Sequence, residues 1–171
     1  MGRYAVPLAT KFADFAGVTD GDKVVAIGCG TGALTAELVR PGGRVAGAVW
    51  DSEGGMRLLG QLWEAAQDAD ARAGAETLRF GGAGELTELF AAGGLESVQE
   101  ERLEVSSTYA DFDELWGTLL LGVGPVGAYV IAQDQTRRNA IRSALFERLG
   151  APNGQFALGA VARAVVGVVP G

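Results

Sequence analysis

The chain contains no histidine among its 171 residues. Ser-His-Asp and Cys-His catalysis are thereby excluded, and the commonest metal ligand is missing. A single cysteine, Cys29, leaves no disulfide and no thiolate cluster for zinc. Lysine occurs only at 11 and 23, and the 14 Lys and Arg residues are outnumbered by 21 Asp and Glu, for a formal charge of −7. Nucleic acid is not an expected partner, because phosphate contacts need clustered basic side chains and only Arg137-Arg138 stand together. No run of about 20 apolar residues is present. The longest uncharged stretch considered, 117–133, carries four glycines and Pro125. No membrane partner is expected on that ground, and no signal peptide, since Lys11, Asp14 and Asp20 interrupt the first residues. A reduced, cytoplasmic setting is the expectation.

What remains is ordinary for a globular protein: 48 % hydrophobic and 20 % charged residues, with 27 glycines dispersed along the chain. The length fits one domain, 1–171. The most informative stretch is Val24-Val25-Ala26-Ile27-Gly28-Cys29-Gly30-Thr31-Gly32-Ala33. A β-branched run ends in three glycines at alternate positions, and a helix-compatible segment, 33–40, follows. This is a strand, a tight turn and a helix N-terminus, where backbone approaches a nucleotide-like ligand closely. A Cβ would block both the turn and the approach. Cys29 reads as a small residue in that crowded turn.

Periodicity predicts a helix over 4–17 (Leu8, Phe12, Phe15 and Ala16 on one face), strands over 23–27 and 44–50, and a helix over 56–70. In the last of these Met56, Leu59, Leu62, Trp63 and Ala66 form the expected buried stripe. A loop at 81–84 precedes a helix over 85–92, closed by Gly93-Gly94. Then come a strand over 95–105, helices over 111–121 and 134–149, a turn at 152–154, and a strand over 155–169. Alternating strands and helices in the first half predict a parallel, doubly wound sheet of about four strands, with 23–27 and 44–50 as parallel neighbours. The late strands are expected to pair antiparallel around a helical insertion, 111–149.

The Gly28-Cys29-Gly30-Thr31-Gly32 loop resembles motif I of class I S-adenosylmethionine (SAM) dependent methyltransferases of the small-molecule type. The resemblance extends to Val39-Arg40-Pro41-Gly42-Gly43-Arg44-Val45-Ala46, similar to the lead-in to the fifth strand of the family sheet, and to the C-terminal third. It implies a Rossmann-like α/β three-layer sandwich with a reduced sheet, in which 23–51 is the glycine-loop βαβ unit and 95–169 the antiparallel C-terminal strand pair. It also implies SAM as cofactor and a small-molecule methyl acceptor. Three strand-helix units of the family are absent between the glycine loop and the fifth-strand lead-in. Ala26 also stands where the family often has an acidic residue.

A second register places 44–50 as the family's second strand. Asp51, 19 residues after Gly32, would then hold the ribose hydroxyls; the alternative is that Asp51 opens the turn before the next helix. The cofactor set is thus Gly28, Cys29, Gly30, Thr31, Gly32 and Asp51. Trp50, ending its strand on the ligand side, is the candidate substrate contact, and no catalytic residue or metal ligand is assigned. Trp63 and Trp116 are expected in the core.

Two rival readings share these residues. Gly28-x-Gly30-x-x-Ala33 also satisfies the dinucleotide pattern, so a nicotinamide-dependent oxidoreductase is an alternative, although no Tyr-x-x-x-Lys pair accompanies it. The other is a non-catalytic, methyltransferase-like remnant acting through binding or as a homodimer. For that reading the 117–132 stretch, with Leu119, Leu120, Leu121, Tyr129 and Ile131, is the candidate surface, as it is for a substrate lid.

Overall fold

A computed structural model describes Leu8, residues 11–12 and 14–17, and residues 43–74 and 80–171. The glycine loop 28–32, the strand over 23–27 and the helix over 33–40 lie outside the described residues.

Within them the protein is mixed α/β, with an open three-stranded sheet. Its strands are β1 (Arg44–Trp50), β2 (Glu96–Tyr109) and β3 (Phe156–Val168), in the spatial order β1-β3-β2. The helices are α1 (Arg57–Ala69), α2 (Glu85–Ala92), α3 (Phe112–Leu119), α4 (Gly124–Ala132) and α5 (Gln135–Arg148). Residues 8, 11–12 and 14–16 are also helical, as expected of 4–17.

Both strand pairs are antiparallel. The expected antiparallel pairing of the two late strands is present, with Leu103 opposite Ala162 and Tyr109 opposite Phe156. The described sheet contains no parallel pair: β1 runs antiparallel to β3, Arg44 opposite Val168 and Trp50 opposite Ala162. The late strand therefore lies in the middle of this sheet, bonded on both sides, and its residues 162–166 are all buried. A strand buried on both faces is largely apolar, and Ala162, Ala164, Val165 and Val166 are so, with the buried Arg163 among them.

The face of the sheet carrying Gly47 and Val165 is covered by α2, whose Phe90 ring stands where a Gly47 Cβ would touch it at 3.4 Å. The opposite face carries the main core. There Leu58, Leu62, Ala65 and Ala66 of α1 meet Leu115, Trp116 and Leu119 of α3, Val130 of α4, and Ile141 and Leu145 of α5, over Leu158 of β3. Each face is apolar only where a helix covers it. Along β2 this gives alternation, with Leu103, Val105, Ser107 and Tyr109 buried and the residues between them exposed.

Helix starts follow local chemistry. Asp111 caps α3 by accepting the Glu114 N–H at 2.8 Å, and Glu114 accepts the Ala110 N–H at 2.6 Å. Asp134 caps α5 through the Arg137 N–H at 2.9 Å. α1 has no side-chain cap; Met56, expected as its first residue, instead bridges Ala160 of β3. That displacement turns the buried stripe to Leu58, Leu62, Ala65 and Ala66, leaving Leu59 and Trp63 half-buried. Trp116 is buried, as expected. Trp63 instead lies at the core's margin, its ring 5.1 Å from that of Tyr129.

Candidate functional site

β1 ends at Trp50, and the chain turns sharply through residues 51–56 into α1. Three backbone bonds fasten this turn. Asp51 N–H donates to Val161 C=O at 3.0 Å, Val161 N–H to Gly55 C=O at 2.7 Å, and Ser52 N–H to Gly81 C=O at 3.0 Å. Gly81 is required by close approach: a Cβ there would stand 2.7 Å from the Trp50 carbonyl oxygen and 2.9 Å from the Ser52 nitrogen.

A cluster of charges fills the space beneath. Arg163, in the centre of β3, is opposite Val49 on one side and Arg102 on the other, so its side chain shares their face. Its Nε donates to Gly81 C=O at 3.0 Å, Nη1 to Glu100 Oε1 at 3.4 Å, and Nη2 to Glu53 Oε2 at 2.7 Å. The same Nη2 is 3.2 Å from Asp51 Oδ2. The Asp51 side chain is 2 % exposed and that of Arg163 is 9 % exposed. The other Asp51 oxygen accepts the Glu53 N–H at 2.7 Å, and Arg102 Nε approaches Oδ2 at 3.5 Å from the solvent side. Glu100 in turn accepts from Thr87 Oγ1 at 2.7 Å and from the Gly84 N–H at 3.4 Å.

One guanidinium therefore joins β3, the turn after β1, the loop before α2 and β2. Its Nε and both Nη atoms face protein acceptors, so the cluster is built to hold backbone segments together. Asp51 is committed to Arg163 and to the Glu53 N–H. That is the turn-opening alternative for this residue, with an ion pair added. Trp50 is half-buried and packs, with Leu8 and Leu59, against Met56, Val105 and Ala160.

Burial raises the Glu100 carboxyl, but hydrogen bonds from Thr87 and the Gly84 N–H, together with the Arg163 charge, outweigh it and hold the group below the ordinary glutamate value. A depressed folded value means that Glu100 stabilises the fold fully above the ordinary carboxylate range. That contribution disappears as pH falls through the folded value. In acid titrations followed by circular dichroism, wild type is expected to lose stability more steeply over that window than Glu100→Gln. Equal slopes would show that Glu100 carries no linkage.

Gly28, Cys29, Gly30, Thr31 and Gly32 lie outside the described residues. An open groove of about 410 Å³ runs between Lys11, Asp14 and Phe15 and residues 101–104 of β2, lined by charges of both signs. Among the described residues, no group of three or more His, Cys, Asp or Glu is placed to hold a metal ion. No single helix among them is long and apolar enough to cross a membrane.

Sequence reasoning missed Arg163, Glu100, Glu53 and Arg102. A signal for the first was available: Arg163 is the one charge in 156–169, and a cation inside an otherwise apolar strand demands a buried carboxylate. No protein-family model matches this chain, and neither does any curated protein.

Proposed function

We propose that the chain is a SAM-dependent methyltransferase-type domain acting on a small-molecule acceptor, with 44–50 in the fifth-strand register of a reduced Rossmann-like sheet. One observation carries this reading. β3 lies between β1 and β2, antiparallel to both, and β1 follows directly on the Arg40-Pro41-Gly42-Gly43 lead-in. An antiparallel pairing of the two late strands is what the resemblance of the C-terminal third implies, and the 39–46 lead-in is what it implies for a fifth strand. The register also gives Asp51 its place: a carboxylate that fastens the turn after β1 through Arg163.

Cofactor recognition in this reading rests on the glycine loop 28–32, without a ribose carboxylate from Asp51. Each charge-assisted hydrogen bond lost to the nucleoside lowers affinity by roughly ten- to a hundredfold, from about 1.5–3 kcal/mol apiece. Calorimetric titration of the full chain is expected to give a weak, saturable S-adenosylhomocysteine isotherm and none with NADH. Gly30→Val should abolish the binding while far-UV circular dichroism stays close to wild type. A preference for NADH would favour the oxidoreductase alternative, and binding that survives Gly30→Val would remove the loop from the site. No binding of either ligand, from a folded chain, leaves the non-catalytic reading.

A further inference from the structure

Among the described residues β2 pairs with β3 alone and forms an edge of the sheet. Which of its backbone groups face outward follows from Val161 of β3. The Val161 carbonyl accepts from Asp51 and its N–H donates to Gly55, so residue 161 bonds toward the β1 side. Successive strand residues alternate, and opposite residues of an antiparallel pair exchange both bonds or neither. Ala160, Ala162 and Ala164 therefore bond to their opposites on β2: Val105, Leu103 and Glu101. The alternate residues Glu100, Arg102, Glu104 and Ser106 turn their N–H and C=O groups outward. Among the described residues none bonds to these groups. The register is unbroken from Gln99 to Tyr109, and a regular free edge of this kind is a template for another strand.

We propose that the β2 edge pairs antiparallel with β2 of a second copy of this chain, across a twofold axis at Leu103 that joins the two sheets. The charges select both the partner and the register. With the axis at Leu103, Arg102 stands opposite Glu104 of the second copy, and Glu104 opposite Arg102 of the second copy. Glu100 then faces Ser106, Glu101 faces Val105, and no like charges meet. An axis at Arg102 would set that arginine against itself and Glu100 against Glu104. An axis at Glu100, Glu101 or Glu104 would set that glutamate against itself. Axes at Val105 or Ser106 match no opposite charges, and one at Gln99 runs into the bulge between Glu96 and Gln99. Arg102 and Glu104 are both exposed, and among the described residues no cation pairs with Glu104. The sheet face has room as well. α2 covers the Glu100 end, where Thr87 donates to Glu100, whereas Ser106 and its β3 neighbours Ala157 and Gly159 are exposed. The twofold axis brings the covered end of one copy beside the bare end of the other. Such an isologous contact uses the β2 edge of both copies, so association through it stops at two. This surface is separate from 117–132, and the inference stands independently of the methyltransferase reading.

Sedimentation velocity of the full chain over a range of concentrations tests it. Wild type is expected to show a monomer–dimer equilibrium. Arg102→Glu and Glu104→Arg should each weaken self-association by roughly tenfold or more, because like charges then meet on both sides of the axis. An equimolar mixture of these two variants should recover a dimer, since each supplies the charge the other lacks. Ser106→Pro removes an outward N–H that the monomer does not use. It should abolish dimerisation while circular dichroism stays unchanged. Should Arg102→Glu fail to fold because of its place beside Asp51, Glu104→Arg and Ser106→Pro decide the matter. A wild type that stays monomeric throughout overturns the proposal. So does a dimer that Ser106→Pro and Glu104→Arg leave intact, or a mixture of two folded charge variants that remains monomeric.

Discussion

Arg163→Ala is expected to destabilise the protein by about 3–5 kcal/mol, because it leaves a buried carboxylate without its cation. Asp51 has almost no exposed side-chain surface, and Arg102, the other cation near it, approaches at 3.5 Å from a position that is 58 % exposed. Removing Arg163 also leaves the Gly81 carbonyl without the guanidinium N–H and Glu100 without its counter-charge. The loss concerns the missing partner more than the net worth of the pair. Asp51→Ala/Arg163→Ala should therefore cost clearly less than the sum of the two single changes. Urea unfolding of the three variants measures both quantities. Additive costs would mean that the two side chains do not act as a pair. Only a modest loss is expected from Glu53→Ala, whose carboxylate is 59 % exposed and screened by water.

Leu145→Ala is expected to cost about 2–5 kcal/mol, the range for a large-to-small change at a site that cannot collapse. Leu145 is fully buried with Leu62, Leu115 and Ile141, and its surroundings are pinned from several sides. α5 is held to α1 by Arg148, whose Nη2 donates to Asp68 Oδ2 at 2.8 Å and whose Nη1 donates to Glu64 at 2.6 Å. Phe146 is set edge-on to Phe112 at 5.0 Å between centroids. With both neighbours fixed, the cavity would stay open. At a typical urea dependence, the unfolding midpoint should fall by about 1–2 M with an unchanged slope. Leu121→Ala is the matched comparison: at an exposed position the same change should stay within about 0.5 kcal/mol. A midpoint for Leu145→Ala equal to that of Leu121→Ala would place α5 outside the cooperative core.

Local periodicity made most described elements legible. The strand over 44–50 has the expected bounds, and Phe112, Leu115, Trp116 and Leu119 are the buried face of α3 as the spacing predicts. The helix over 85–92 ends at Gly93 because Gly94, at φ +80°, turns the chain out of it. Two of the misses share a cause: each depends on a partner far away in the chain. β2 continues to Tyr109, four residues past its expected end, because Ser106-Ser107-Thr108 looks like a turn until Ser107 is set opposite Leu158. α1 is rotated by the Met56–Ala160 bridge, a contact across a hundred residues. α4 begins at Gly124-Pro125, a start that the lack of charge around it obscured. The site was less legible than the fold. Asp51 carries two readings in the sequence, a ribose ligand or the opening of a turn; its ion-pair partner is an arginine 112 positions later, which no local window contains.

The strand order also has a consequence for how the protein comes into being. Among the described residues β1 and β2 are not hydrogen-bonded to one another; each pairs with β3, which follows both in the chain. As the polypeptide leaves the ribosome, α1, α3, α4 and α5 can begin to gather on one another before β3 is available. These two pairings cannot begin until β3 has emerged. During that interval Leu103, Val105 and Tyr109 lack their partner strand β3, and Asp51 waits without Arg163. Closing the sheet is then a long-range, late event of the kind that makes β pairing slow and leaves nascent chains open to wrong partners. Release of the chain before residue 156 would leave β1 and β2 without their shared partner, and a nascent chain with 156–168 still in the exit tunnel would be as protease-sensitive as one lacking that strand.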